Sequence, residues 1–317
     1  MAQLQTQSQM QGQSAAVAQA DAPPIAASRA RRGQKFLDRF LRHRSAVIGA
    51  AVVGFVILVA LLTPVLVNHD PTLAIPQTRF TPPLGVPSDP TAGTYILGAD
   101  NLGRDVYSRV VKGSQVSLLV GLGVALGVVL AGTAIGLTAG YFKKVDSILM
   151  RLMDSMMAFP GIILALAIMA VRGPGVGNVI IALAIVETPR FARVVRSVTL
   201  TIRELQYVEA AHALGITSGR IMLRHILPNC LSPMIVQATF VFAAAVLGEA
   251  GLSFLGAGTP PEIPSWGQML GDSRNFLAQA PWTMAAPGAA LMVTVLGLNL
   301  LGDGIRDVLD PRLRRQA

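Results

Sequence analysis

The chain has 317 residues, 52% of them hydrophobic and only 14% charged, with mean hydropathy +0.55. Soluble domains carry roughly 25% charged residues, so this balance excludes an ordinary soluble domain and makes lipid the solvent. A net charge of +9 would suggest nucleic acid in a soluble protein, but here the placement of the charges decides, and the single cysteine, Cys230, excludes an intrachain disulfide.

Residues 1–31 open with a Gln/Ala/Ser-rich stretch that has no apolar periodicity, and they read as a disordered polar tail. The basic stretch "RARRGQKFLDRFLRHR" follows. This head is too long and polar for the n-region of a cleaved signal, so the first apolar run belongs to the mature protein. A helix needs ~20 mostly apolar residues to cross a bilayer. The first span is Ala46–Val67, and a long loop over 68–113, rich early on in Pro and Gly, completes a segment 32–113. Five more spans form a core over 114–303: Ser114–Thr138, Met150–Val171, Val176–Val195, Leu231–Leu255 and Met284–Leu301. The Val176–Val195 run is the weakest, because Glu187, Pro189 and Arg190 interrupt it. A bundle interior shelters such groups, whereas lipid does not. The chain closes on a basic terminus, 304–317.

With six crossings and the N-terminus inside, 20 of the 26 Lys and Arg residues fall on the cytoplasmic side. The positive-inside rule therefore places both termini in the cytoplasm, and it accounts for the basic charge without nucleic acid. The glycines of "VGLGVALGVVLAGTAIGLTAG" recur near four-residue spacing, which suits close helix packing. Trp266 and Trp282 share an external loop and are expected to be interfacial anchors. Asp154 stands three residues from Arg151 and is expected to pair with it. Glu249, inside the fifth span, is expected to serve packing or a bond to neighbouring backbone.

One polar stretch interrupts the apolar runs in the cytoplasmic loop over about 196–228: "EAAHALGITSGRIMLRHILP", Glu209–Pro228. Phe191, Val195, Val198, Ile202 and Leu205 are spaced 4, 3, 4, 3, which predicts a helix continuing from the fourth span as far as Gly215. Thr217 or Ser218 caps a second short helix, which Pro228 limits. Met222 and Ile226 share one face of it, and Thr217, Arg220 and Arg224 the other. The pattern also resembles a DNA-binding helix-turn-helix, but both flanks enter membrane spans and leave no room for a third helix. A plain helical connector is the remaining bland reading. Enzyme chemistry has no support. His43, His69, His212 and His225 form no H-E-x-x-H pair, "GLSFLG" lacks nucleophile-elbow spacing, and no Walker A pattern occurs.

The spacing of "EAA", Gly215 and Leu227–Pro228 resembles the EAA loop of permease subunits in bacterial ABC importers. His225 stands where the common pattern has Ile. "LGADNLGRDVYSRVVKGSQVSLLVG" (Leu97–Gly121), "GEAGLSFLGAGTPPEIPSWGQML" (Gly248–Leu270) and "NLLGDGIRDVLDPRLR" (Asn299–Arg314) are similar to the C-type subunit of the dipeptide/oligopeptide/nickel branch. Ala99, Gln115 and Glu187 depart from its usual residues. The resemblance implies an all-α, six-span permease of type I in the bacterial inner membrane. It implies a heterodimer with a second permease subunit, two ATPase subunits, and a periplasmic or lipid-anchored solute-binding protein. The chain itself would bind no cofactor, ATP being used by the ATPase subunits. Di- or oligopeptides are the implied solutes, with glutathione or chelated nickel as the alternative. In the loop, Glu209 would contact the ATPase or brace the turn, Ala210 and Ala211 would permit close packing, and Gly215 would make the bend. The segment Thr217–Ile226, with Arg220, Met222 and Arg224, would be the inserted surface, ended by Pro228.

Overall fold

A computed structural model of the protein describes residues 39–85 and 93–309. The polar tail 1–31 and the end of the basic terminus lie outside the described residues. The chain divides into a unit over 1–43 and a helical body over 44–317. In the body, α1 (Arg44–Leu61) is followed by a four-residue α2 (Thr63–Leu66), and α3 spans Val106–Tyr141. Then come α4 (Lys143–Met157), α5 (Gly161–Arg172), α6 (Val176–Arg203), α7 (Gln206–Ala213) and α8 (Ser218–Ile221). A π-helical turn, Met222–Ile226, leads into α9 (Leu227–Phe254), with α10 (Trp266–Ser273) and α11 (Trp282–Leu309) after it. Among the described residues the one β pairing is an isolated bridge, Ala99 to Asp105.

Among the described residues, four helices are long and apolar enough to cross a membrane: α1, α3, the continuous Ser218–Phe254 and α11. The expected third span, Met150–Val171, is not one helix. It breaks between α4 and α5 with a bend of 91°, and the pair counts as a fifth span if taken as one. Pro160 accounts for the break, since it has no N–H to donate and biases Phe159 away from helical geometry. α6 has the length of a span, at 28 residues, but Glu187, Arg190, Arg193, Arg196 and Arg203 dilute its apolar character. By length and composition, then, the described helices supply four or five of the six expected crossings. α3 starts eight residues before the expected Ser114, because the Asp105 carboxylate accepts the N–H groups of Tyr107 and Ser108 at 3.2 and 3.1 Å and caps the helix.

The core forms where α3 lies along α6. Gly132, Gly136 and Gly140 meet Phe191, Val195 and Thr199 in turn, and a Cβ on Gly136 would stand 2.6 Å from the Ala192 carbonyl oxygen. The four-residue glycine spacing is thus a packing device. Val120, Val124, Val128, Phe191, Val195 and Val241 fill the centre beside it. At the opposite end of α3, charges tie the long loop to α10. Arg104 Nε donates to Asp100 at 2.6 Å and its Nη2 to Asp272 at 3.1 Å.

Trp266 is not an interfacial anchor, and Trp282 is half-buried. Trp266 is 2% exposed and donates from Nε1 to the Val110 carbonyl at 3.0 Å, and Trp282 donates to the Ala99 carbonyl at 3.2 Å. A buried indole needs an acceptor, and these two bonds hold α10 and α11 against the start of α3 and the long loop. Glu249 is fully buried and bonds hydroxyls, not backbone: Ser253 donates to it at 2.8 Å and Ser117 of α3 at 3.4 Å. The expected Arg151 partner of Asp154 is also corrected. Asp154 accepts from Arg193 at 2.5 Å, and Asp146 takes Arg196 in a two-point pair, which fastens α4 to α6.

Candidate coupling surface

The Glu209–Pro228 stretch is built on a change of helical phase. α6 stops at Arg203, and Leu205 is extended (φ −80°, ψ 140°) before α7 begins. The single helix expected through to Gly215 is therefore two. An unbroken helix would continue the Ile202–Leu205–Glu209 stripe and turn Glu209 toward the core. The break re-phases the chain, so Val208 and Ala211 are buried while Glu209 and Ala210 are exposed. Glu209 then lies in the first turn of α7, where a carboxylate suits the helix dipole.

α7 ends as its glycine requires. Gly215 has φ +76°; its N–H donates to the His212 carbonyl at 3.0 Å, and the Ile216 N–H donates to the Ala211 carbonyl at 3.2 Å. These two crossed bonds form a Schellman motif, with glycine at the left-handed position. Thr217 is extended (φ −62°, ψ 142°) and caps α8 by its backbone geometry, with no bond from its side chain. Pro228 does not limit the second helix. The π turn carries the Leu227 N–H back to the Met222 carbonyl, and Pro228 falls in the first turn of α9, where a missing N–H is tolerated.

The loop therefore has two distinct faces. Ile221 and Ile226 are fully buried in the same core as Val195 and Cys230, with Met222 half-buried beside them. Met222 and Ile226 do share a face, and it is turned toward the bundle. The outer face carries Arg220 and Arg224, both exposed, with Leu214 81% and Leu223 65% exposed. Gly215, Thr217 and Pro228 are also exposed. The two leucines were missed from the sequence because neither lies on the predicted apolar stripe. Beside Glu209, a cleft of about 780 Å³ is lined by Tyr141, Lys143, Arg203, Glu204 and His212. Arg203 also donates to the Gly140 carbonyl at 2.9 Å, which caps the end of α3 and ties it to this surface.

The family described as "Binding-protein-dependent transport system inner membrane component" matches residues 123–315. This chain belongs to that family. Its task is thus membrane transport, as the inner-membrane component of a system that works with a binding protein. Residues 32–83 match a second family, the N-terminal TM domain of oligopeptide transport permease C. A putative peptide transport system permease protein of Brucella abortus is 47% identical over 278 residues, covering 88% of this chain and 91% of the relative. The dipeptide transport system permease protein of Alkalihalophilus pseudofirmus is 42% identical over 274 residues, with 86% and 88% covered. A glutathione transport system permease protein of Pectobacterium atrosepticum is 39% identical over 282 residues, with 89% and 91% covered. Among solved structures, a chain of the inward-facing MetNI methionine ABC transporter aligns with TM-score 0.53 at 20% identity, covering 64% of this chain and 97% of that one. That likeness bears on the fold alone.

Proposed function

We propose that the chain is a permease subunit of an ATP-driven importer of di- or oligopeptides. It pairs with a second permease subunit, two ATPase subunits on the cytoplasmic side, and a periplasmic or lipid-anchored binding protein. Both termini lie in the cytoplasm, a reading supported by the basic residues clustered on the segments assigned to that side. The peptide reading is supported by relatives at 42–47% identity named for peptides or dipeptides, and the glutathione permease keeps glutathione as the second solute.

The observation that carries the coupling role is the two-faced loop. Its inner face is locked into the core through Ala211, Ile221 and Ile226, and its outer face presents Leu214, Arg220, Leu223 and Arg224. An exposed apolar pair beside arginines has the character of an interface centre. ATP-driven closure of the ATPases presses on that face. Because Ile221 and Ile226 are packed against spans, the push biases the bundle between inward- and outward-facing states. Glu209 and Ala210 complete the docking surface. The chain binds no nucleotide itself.

Leu214→Asp with Leu223→Asp tests this assignment, since both side chains point away from the core. The double variant should reach the membrane in normal amounts, lose the co-purifying ATPases and lose uptake. Normal ATPase retention and uptake would show that the loop is only a connector.

A further inference from the structure

Two charged residues of α6 belong neither to the coupling surface nor to the packing of the bundle. Glu187 and Arg190 lie 11 and 14 residues beyond Val176, where the helix starts. At about 1.5 Å per residue they stand roughly 16 and 21 Å along it, which falls within a ~30 Å hydrocarbon layer when α6 is taken as the fourth of the six proposed spans. Glu187 is half-buried and Arg190 is exposed, and neither makes a hydrogen bond or ion pair among the described residues. Three residues apart, they share one face of the helix. Charges with no hydrogen-bonded partner among the described residues face a water-filled space or the interior of a bundle at such depth, not lipid. Pro189 between them adds polarity. It has no N–H to give the Ile185 carbonyl, and the neighbouring Thr188 hydroxyl donates to the Ala184 carbonyl at 2.6 Å.

The same face continues into a cavity. Val194, one turn after Arg190, lines a cleft of about 420 Å³ between α6, α9 and α11, together with Ser232, Gln237, Phe240 and Arg306. Arg306 is exposed and also lacks a partner among the described residues. A row of hydrogen-bonding and charged groups thus runs from mid-membrane depth toward the end of α11.

We propose that this face of α6 lines the solute passage and that Glu187 and Arg190 hold the two ends of a zwitterionic solute. Glu187 receives the ammonium group and Arg190 the carboxylate, and Arg306 is the next carboxylate-binding group along the cleft. Opposite charges one helical turn apart suit a short solute with free termini. The zwitterion assignment rests on the peptide reading above, whereas the passage itself does not.

The test uses the full chain in its assembled transporter, with buried Cys230 replaced by Ser. Glu187→Cys and Arg190→Cys should react with a charged, membrane-impermeant methanethiosulfonate far faster than Leu58→Cys on the apolar face of α1. Rates equal to that of Leu58→Cys would overturn the passage, whatever solute is carried. In uptake competition with one binding protein throughout, Glu187→Gln should reduce the preference for free-amine over N-acetylated dipeptide roughly tenfold. Arg190→Gln should do the same for free acid over C-terminal amide, and Glu187→Asp, which keeps the charge, should retain the preference. Both preferences unchanged, in variants of normal abundance, would overturn the zwitterion assignment. Absence of dipeptide uptake by the wild type would sink the peptide reading and leave the labelling result to decide the passage.

Discussion

Replacing Gly215 by alanine isolates the backbone's contribution to the loop. A Cβ at this position meets nothing within 4 Å, so no steric clash contributes and the whole cost comes from φ +76°. A left-handed conformation costs an L-residue roughly 1–2 kcal/mol. Gly219 supplies the control, being exposed, helical and equally free of neighbours within 4 Å. There alanine removes unfolded-state freedom and should stabilise by about 0.5–1 kcal/mol. Two substitutions four residues apart therefore have opposite signs. Hydrogen exchange at the Gly215 and Ile216 amides reads the difference directly, because both close the Schellman motif at 3.0 and 3.2 Å. Gly215→Ala should raise exchange there about 5- to 30-fold, and Gly219→Ala should leave it equal or slower. Uptake should follow the same order, with the helical body inserted normally in both. Unchanged exchange in Gly215→Ala, or equal loss of uptake in Gly219→Ala, would refute the reasoning.

Other outcomes follow from single features. Arg104→Leu should cost about 3 kcal/mol, near the low end for breaking a buried pair, because Arg109 Nε stays 3.8 Å from Asp100. A fall in the thermal midpoint of the purified protein checks it. Reporter fusions after Val67 and after Ala317 should report opposite sides of the membrane, and the same side for both would exclude six crossings with cytoplasmic termini. The chain purified without ATPase subunits should show no ATP binding by equilibrium dialysis, since it has no phosphate-cradling loop. Trp266→Phe should lose about 1 kcal/mol from the missing bond to Val110, seen as earlier exchange of the α10 amides.

Apolar run length located every long helix, because an unbroken run of that length has few other uses in a chain. α9 and α11 stand where their runs predict, whereas α1 fills its run only as far as Leu61, before the short α2. What failed were the joints. Pro160 was inside a run greasy enough to hide it, and the 91° bend it makes is invisible to hydropathy. The early start of α3 depends on the Asp105 side chain turning back to the helix N–H groups, and the polar residues of "NLGRDVYSR" read as loop. The tryptophan error has a similar origin. A tryptophan near a span end satisfies the anchor rule in any sequence, and only the fold shows that Val110 and Ala99 offer carbonyls to Trp266 and Trp282.

The loop shows what periodicity reads and what it misreads. Gly215 was legible because a left-handed residue after a short helix needs glycine, and the local motif carries that information by itself. The orientation of Glu209 was not. The 4, 3, 4, 3 spacing continues smoothly through Leu205, so the pattern alone sends Glu209 inward, and a two-residue break at Glu204–Leu205 reverses it. The break is favoured by burial of Val208 and Ala211, at 4% and 5% exposure, and by Leu205 tolerating 44% exposure. That balance compares alternative packings of distant segments, and no window of sequence contains it. Pro228 follows the same logic. Its missing N–H reads locally as a stop, yet a π turn just before it accommodates the proline and lets one rod run from Ser218 to Phe254. The consequence bears on the proposed coupling role, because a stopped helix could swivel, whereas a continuous rod would carry a push at Arg220 and Leu223 directly into α9.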